Sequence, residues 1–261
     1  MMMNRYLTIT EMPGDYVSQE QLDMICFRYY TASNFTHGKD VLEVGCGPGI
    51  GLGYLSKTAK KVIGGDYCER ILWVAKDYYG NRVKLLLLDA HTLPFKDDTF
   101  DVVLLFEAIF YLHEPESFLE ESRRILRKGG VLILCLPNKE IPGFKPSPLS
   151  THYFNAMELF PLLTKYGFKV AVYGAFSIER PLIIQKIISV IRLSVVKVMS
   201  LTSQGRQVKE SLKKRILKKK IILGNEIDEN ASKDYFQLIP ILPGSSDVKH
   251  RFLYVIAQYL N

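Results

Sequence analysis

A doubly wound α/β fold follows from three features of this sequence. Short apolar runs alternate with amphipathic helical stretches through most of the chain. One of those runs empties into a glycine turn and then a helix. Three acids (Glu43, Asp66 and Asp89) stand at or near the ends of three successive runs, where open α/β sheets bind their ligands. Strands separated by helices imply right-handed crossovers and a parallel sheet.

The elements are taken in chain order. Residues 1–39 are polar and aromatic, with a helix over 18–34. Residues 40–44 form the first strand, and the glycine turn leads to a helix over 51–57. A second strand over 61–66 and a helix over 68–78 follow, then a third strand over 83–88. Residues 100–106 are continuously apolar apart from Asp101, as a strand buried on both faces should be. A helix over 115–126 is followed by a turn at Lys128-Gly129-Gly130 into a fifth strand over 131–136. Four prolines between 137 and 148 mark a loop, and a helix over 155–166 ends at Gly167, a good C-terminal cap. Residues 169–173 and 251–257 complete seven strands. Three units result: an N-terminal helical segment (1–39), a core (40–175 and 250–261) and a basic helical insertion (176–249).

Composition bounds the function. With 261 residues, 48% hydrophobic and 23% charged, the chain has ordinary globular character, and disordered, collagen-like and disulfide-scaffold classes are excluded. The longest apolar stretch, 102–112, contains Glu107 and is too short to span a bilayer. No leader-like apolar region follows Arg5, and Cys26, Cys46, Cys68 and Cys135 are scattered, which points to free thiols and a cytoplasmic location. No Cys-x-x-Cys or Cys/His spacing suits a metal, and none is expected. The formal charge of +7 comes from 186–220, where eleven Lys/Arg face the single acid Glu210; the remainder is mildly acidic.

The most informative stretch is Val41-Leu42-Glu43-Val44-Gly45-Cys46-Gly47-Pro48-Gly49. Glycines there let the backbone bend and let a ligand approach, and the helix start offers N–H groups to a negative group. A dinucleotide fingerprint wants Gly-x-Gly-x-x-Gly/Ala, but Gly45 and Gly47 are followed by Ile50, so the fit is acidic-x-Gly-x-Gly-x-Gly. Asp66 ends the second strand, where a carboxylate can accept from both hydroxyls of a ribose. Asp89 ends the third, where a carboxylate can accept from an adenine amine while the Ala90 N–H reads a ring nitrogen. One such Asp usually caps a helix; three acids converging on one crevice indicate a nucleoside site.

These residues resemble the class I S-adenosylmethionine-dependent methyltransferases, type 11 branch. The resemblance rests on VLEVGCGPG (41–49), VIGGDYCERIL (62–72), the run from LLLLDAHTLPF to GGVLIL (85–134) and THYFNAMEL…GF (151–168). Lys128 and Lys96 depart from the family's habit at positions away from the cofactor. The resemblance implies a Rossmann-like seven-stranded sheet whose last strand is antiparallel, and S-adenosyl-L-methionine as cofactor. Carried over by position, Gly45, Gly47 and Gly49 border the methionyl part, and Glu43 orients the loop and the amino group. Asp66 and Tyr67 lie at the ribose, Asp89 and Ala90 at the adenine, and Glu107 with Ala108 beside the methyl.

Methyl transfer from a sulfonium is an in-line displacement that needs alignment, and an oxygen or carbon acceptor can also need a base. The candidate catalytic residues are His152, Glu107 and His113, with His152 favoured because residues after the fifth strand usually face substrate in this family. No Asn/Asp-Pro-Pro-Tyr motif is present, which argues against amino methylation of adenine or glutamine. The expected partner is a small-molecule methyl acceptor: a natural product, sugar or lipid-like metabolite methylated on oxygen.

A nicotinamide-dependent oxidoreductase is the other enzyme reading, opposed by the broken glycine register and the segment from Leu93-Pro94-Phe95 to Asp101. A non-enzymatic scaffold is opposed by the intact loop and acids. The basic segment leaves peripheral membrane contact through 182–220 open, since a wide apolar arc (182–199) lies beside cations. It makes nucleic acid a poor partner, because 186–220 holds no Phe, Tyr or Trp for stacking. Helices of the insertion are expected to cap the C-terminal edge of the sheet beside the N-terminal helix and form much of the acceptor pocket.

Overall fold

The computed structural model describes residues 10–178, 220–228, 231 and 236–260. The principal sheet is assembled from β2 (Asp40–Val44), β3 (Lys61–Asp66), β4 (Lys84–Leu87), β5 (Phe100–Phe106), β6 (Leu126–Pro137), β7 (Phe168–Ser177), β9 (Ile239–Ile241) and β10 (His250–Tyr259). Its order is β4-β3-β2-β5-β6-β10-β7-β9. The first five strands run parallel, and β10 lies antiparallel between β6 and β7. β1 (Tyr16–Val17) and β8 (Ile221–Ile222) pair separately as a small antiparallel ribbon.

The reading of β5 as a strand covered on both faces holds. Val103 and Leu105 join a core with Phe118 and Leu119 of one helix and Leu159 and Leu163 of another. Val102, Leu104 and Phe106 join a second core with Ile25, Leu52 and Leu72. Successive strand residues point to opposite faces, so an unbroken apolar run feeds two helical layers at once. The layers are α1 (Gln19–Thr36), α2 (Leu52–Ser56) and α3 (Glu69–Tyr79) on one face, and α4 (Pro115–Ile125) and α5 (Ala156–Lys165) on the other.

Caps explain the helix starts. Ser18 and Gln21 close a capping box on α1, Ser18 Oγ accepting from the Gln21 N–H at 3.2 Å and Gln21 Oε1 from the Ser18 N–H at 2.9 Å. Asn155 and Glu158 do the same for α5. Tyr79 at the end of α3 reaches across to the glycine turn. Its hydroxyl donates to the Gly49 carbonyl at 2.7 Å and accepts from the Gly53 N–H at 3.0 Å.

Three features differ from the sequence reading. Among the described residues the sheet has eight strands, because β9 pairs with β7 as a further edge; a three-residue run holding Pro240 carries no periodic signal, and Pro suits an edge. β6 begins five residues before 131, where Arg127 binds Asp40 at 3.0 Å and Asp101 at 2.9 Å and so ties the start of β6 to those of β2 and β5. The return limb of the insertion is built into the fold: β8 pairs with β1, and Leu223 and Ile227 are buried in the core shared with α1. The segments 182–199 and 209–219 read as helical lie outside the described residues.

Tyr79→Phe removes a buried hydroxyl that serves two backbone groups. Urea denaturation of that variant is expected to show a loss of about 1–3 kcal/mol; unchanged stability means the hydroxyl does not hold the turn.

Candidate active site

The chain leaves β2 through Gly45, Gly47 and Gly49, all with positive φ (68°, 56° and 80°). The Cys46 N–H donates to the Gly65 carbonyl at 3.0 Å, and the Gly47 N–H to Asp66 Oδ2 at 2.9 Å. The other Asp66 oxygen accepts from the Cys68 N–H at 2.8 Å. One carboxylate therefore sets the glycine turn and starts α3 before any ligand is considered. Burial pushes the Asp66 carboxyl above its ordinary range against those N–H bonds.

Gly49 departs from its expected role. A Cβ there would meet the Tyr79 ring at 3.0 Å, Leu52 at 3.1 Å and Ala75 at 3.2 Å, so this glycine allows α3 to pack against the turn. Gly45 and Gly47 line the cleft, while Gly49 does not.

The cleft has a volume of about 820 Å³ and lies along the carboxyl ends of β2 to β5. Glu43, Asp66, Tyr67, Asp89, Ala90 and Glu107 all line it. Asp89 is exposed, and its Oδ1 accepts from the His91 N–H at 2.9 Å and lies 2.6 Å from His91 Nδ1. Burial alone would raise this carboxyl; the His91 contacts hold it below its ordinary range.

Glu107 follows β5 with φ of 50°, a left-handed conformation that costs energy outside glycine and that gathers at functional sites. Its N–H donates to the Cys135 carbonyl at 2.7 Å. Its Oε1 is bonded by Nη1 of Arg28, a residue of α1 that the sequence reading missed. Arg28 Nη2 donates to Glu11 Oε2 at 2.6 Å. The next residue, Tyr29, donates its hydroxyl to Glu43 Oε1 at 2.8 Å. Thr10, Glu11, Arg28 and Tyr29 also line the cleft, so the N-terminal segment forms one of its walls.

Glu43 is only 1% exposed, and burial pushes its carboxyl up to about 8, the Tyr29 hydrogen bond and Arg28 opposing the rise. Glu107 is likewise raised by burial, with Arg28 pulling down and Glu11 pushing up. Glu43 Oε2 and Arg28 Nε are buried and have no hydrogen-bond partner among the described residues.

His113 lines the cleft at its exposed rim. The favoured base, His152, does not line it. Its side chain is 54% exposed, its Nε2 lies 3.5 Å from Glu158 Oε1, and its ring meets Phe154 edge-on at 4.6 Å. Glu158 caps α5 and binds Lys139 at 2.6 Å, so it draws His152 to the start of that helix. His152 is thereby withdrawn as a catalytic candidate.

Comparison with known proteins agrees with this geometry. Residues 42–134, from β2 through most of β6, match the family model described as a methyltransferase domain, type 11. A protein of Mycolicibacterium smegmatis named a probable S-adenosylmethionine-dependent methyltransferase is 38% identical over 137 residues, 51% of this chain and 53% of that one. Residues 42–134 thus carry a methyltransferase domain of the type 11 family, and the relatives that match across this region are named probable S-adenosylmethionine-dependent methyltransferases. A demethylmenaquinone methyltransferase of Clavibacter sepedonicus is 31% identical over 100 residues, covering 38% of this chain and 41% of the relative. The chain spans about half the length of the first of these relatives and less of the second. A solved S-adenosylmethionine-dependent methyltransferase of Thermotoga maritima covers 91% of this chain and 90% of its own, with a TM-score of 0.54 and 20% identity, which supports the fold.

The family's cofactor is S-adenosyl-L-methionine, and the residues present fit it. The glycine turn leaves room for its approach, Asp66 and Asp89 stand where a nucleoside needs acceptors, and the orphaned Glu43 Oε2 calls for a donor such as its ammonium. The match sets the nicotinamide reading aside.

Two predictions follow from these acids. Asp66→Ala is expected to weaken S-adenosylhomocysteine binding by about 2–4 kcal/mol in calorimetry; undiminished affinity removes Asp66 from the ribose. For Glu43, the folded carboxyl titrates above its unfolded value of 4.5, so its stabilising contribution is present below about 4.5 and is lost as pH rises to about 8. Glu43→Gln should flatten the ligand-free stability profile across that window, by on the order of 3–5 kcal/mol. A wild-type profile with no such fall contradicts the buried carboxyl.

Proposed function

We propose that this protein transfers a methyl group from S-adenosyl-L-methionine to an oxygen of a small, largely apolar acceptor. The observation that carries the reading is the wall of the cleft beside Glu107. Ile25, Phe106, Phe110 and Tyr111 line it, an aliphatic and aromatic surface next to the ion pairs of Arg28. Such a surface favours an acceptor that is flat or hydrocarbon-rich over a sugar, whose hydroxyls need many polar partners. The quinone-like substrate named for the Clavibacter relative is of the same character.

When bound, the cofactor supplies an electrophilic methyl on a sulfonium, and no covalent nucleophile is needed from the protein. Asp66 and Asp89 would hold the nucleoside end, and the glycine turn with Glu43 the methionyl end and its amino group. The Glu107–Arg28 pair fixes the floor of the cleft between them. The apolar wall excludes water from the acceptor oxygen. His113, which lines the cleft at its rim, accepts the proton of an acceptor hydroxyl.

A mass spectrum of ligands carried by the purified protein, followed by a labelled-methyl assay on metabolite extracts, tests the reading. Label in an extractable apolar product, with His113→Ala lowering kcat by about 100-fold or more and changing its pH profile, supports it. Label confined to RNA or protein overturns it. Turnover unchanged in His113→Ala removes the proposed base while leaving the transfer itself standing.

A further inference from the structure

We infer that Arg28 is the receptor for the carboxylate of the cofactor's amino-acid tail, and that Glu11 competes with that carboxylate for one edge of the guanidinium. The inference rests on the reading that the cleft takes S-adenosylmethionine. It concerns a residue outside the 42–134 segment that matches the family model.

A guanidinium offers its donors as a planar fork, and its most favourable partner is a carboxylate bound side-on by two parallel N–H bonds. Arg28 is used unevenly. Nη1 serves Glu107, and Nη2 serves Glu11 at 2.6 Å. Nε, on the same edge as Nη2, is buried and has no partner among the described residues. Glu11 therefore satisfies half of an edge that a single carboxylate can fill. Its side chain is 41% exposed against 8% for Arg28, so its own carboxylate loses little by returning to water.

The orphaned Nε has a counterpart. Glu43 Oε2 is buried with no partner among the described residues, and Tyr29, adjacent to Arg28 in α1, is bonded to the other oxygen of the same carboxyl. Two neighbouring residues of one helix thus bring together an acceptor lacking a donor and a donor lacking an acceptor. Both Arg28 and Glu43 line the cleft. An α-amino acid carries an ammonium and a carboxylate on one carbon, and its two charged groups match those two needs. The exchange leaves the charge count at the guanidinium unchanged, with Glu107 and one further carboxylate facing it before and after, and it completes the fork.

Calorimetry on the full chain with two ligands tests the assignment. S-adenosylhomocysteine carries the amino-acid tail, and 5′-methylthioadenosine carries the nucleoside without it. Arg28→Met, which keeps the length of the side chain, should lower affinity for the first by roughly 30–100-fold and leave the second unchanged. Glu11→Gln should tighten the first several-fold and again leave the second unchanged. Equal losses for both ligands in Arg28→Met overturn the assignment. Should Arg28→Met fail to fold, the Glu11→Gln variant, altered at a partly exposed side chain, decides: affinity equal to wild type overturns the competition and with it the assignment. Wild-type protein that binds neither ligand overturns the cofactor reading itself, whereas wild type that binds both while the two variants match it overturns only the role given to Arg28.

Discussion

The carboxyl of Glu43, buried at the head of the glycine turn, sets the terms for everything around it. A carboxyl group with 1% exposure is costly to ionise and costly to leave without hydrogen bonds. The fold answers by bringing α1 over the turn so that the Tyr29 hydroxyl reaches Oε1. Docking α1 in that position brings the neighbouring Arg28 into the interior, where a cation needs carboxylates of its own. Glu107 supplies one by adopting a left-handed backbone at the end of β5, and Glu11 supplies another from the strand-like entry to α1. That entry is in turn held by the β1–β8 ribbon and by the Gly14 N–H, which donates to the Leu223 carbonyl at 2.8 Å. One buried acid thus ties the N-terminal segment and the return limb of the insertion to the cofactor cleft.

The parts legible in the sequence are those encoded by local pattern. β2, β3 and β5 begin and end where their apolar runs do, and Asp66 and Asp89 could be placed because a strand end is a local event. The acidic-x-Gly-x-Gly-x-Gly register separated this nucleoside site from a dinucleotide one. It could not distinguish a glycine that faces ligand from one that faces a tyrosine, and Gly49 belongs to the second kind. β1, β8 and β9 are two or three residues long and exist through pairing partners far along the chain, so no periodicity announces them.

Arg28 and Tyr29 were hidden for a different reason. An arginine in a helix is usually a solvated residue, and nothing near it in sequence names Glu107 or Glu43 as a partner. A signal was present in the run Met24-Ile25-Cys26-Phe27-Arg28-Tyr29-Tyr30, which has no polar side for a cation to face. A charge in such a run must meet an opposite charge in the interior. His152 shows the converse error. Its place after the fifth strand suggested the acceptor, but Glu158, fixed as the cap of α5 and shared with Lys139, lies within its reach and draws it aside.

The position of β10 bears on how the molecule is made. This strand is the last of the sheet to leave the ribosome, yet it lies in the interior, with β6 on one side and β7 on the other. Until residues 250–259 emerge, the apolar edge of β6 from Val131 to Leu136 stays open, and β7 has no place to dock. More than seventy residues must be synthesised between the completion of β7 and the start of β10. During that interval the nascent chain carries an unpaired hydrophobic edge, the feature that most readily recruits a second chain. Closure by the final strand makes assembly of the half-sheet that carries β6 and β7 a late event, one that depends on whatever shields β6 in the meantime.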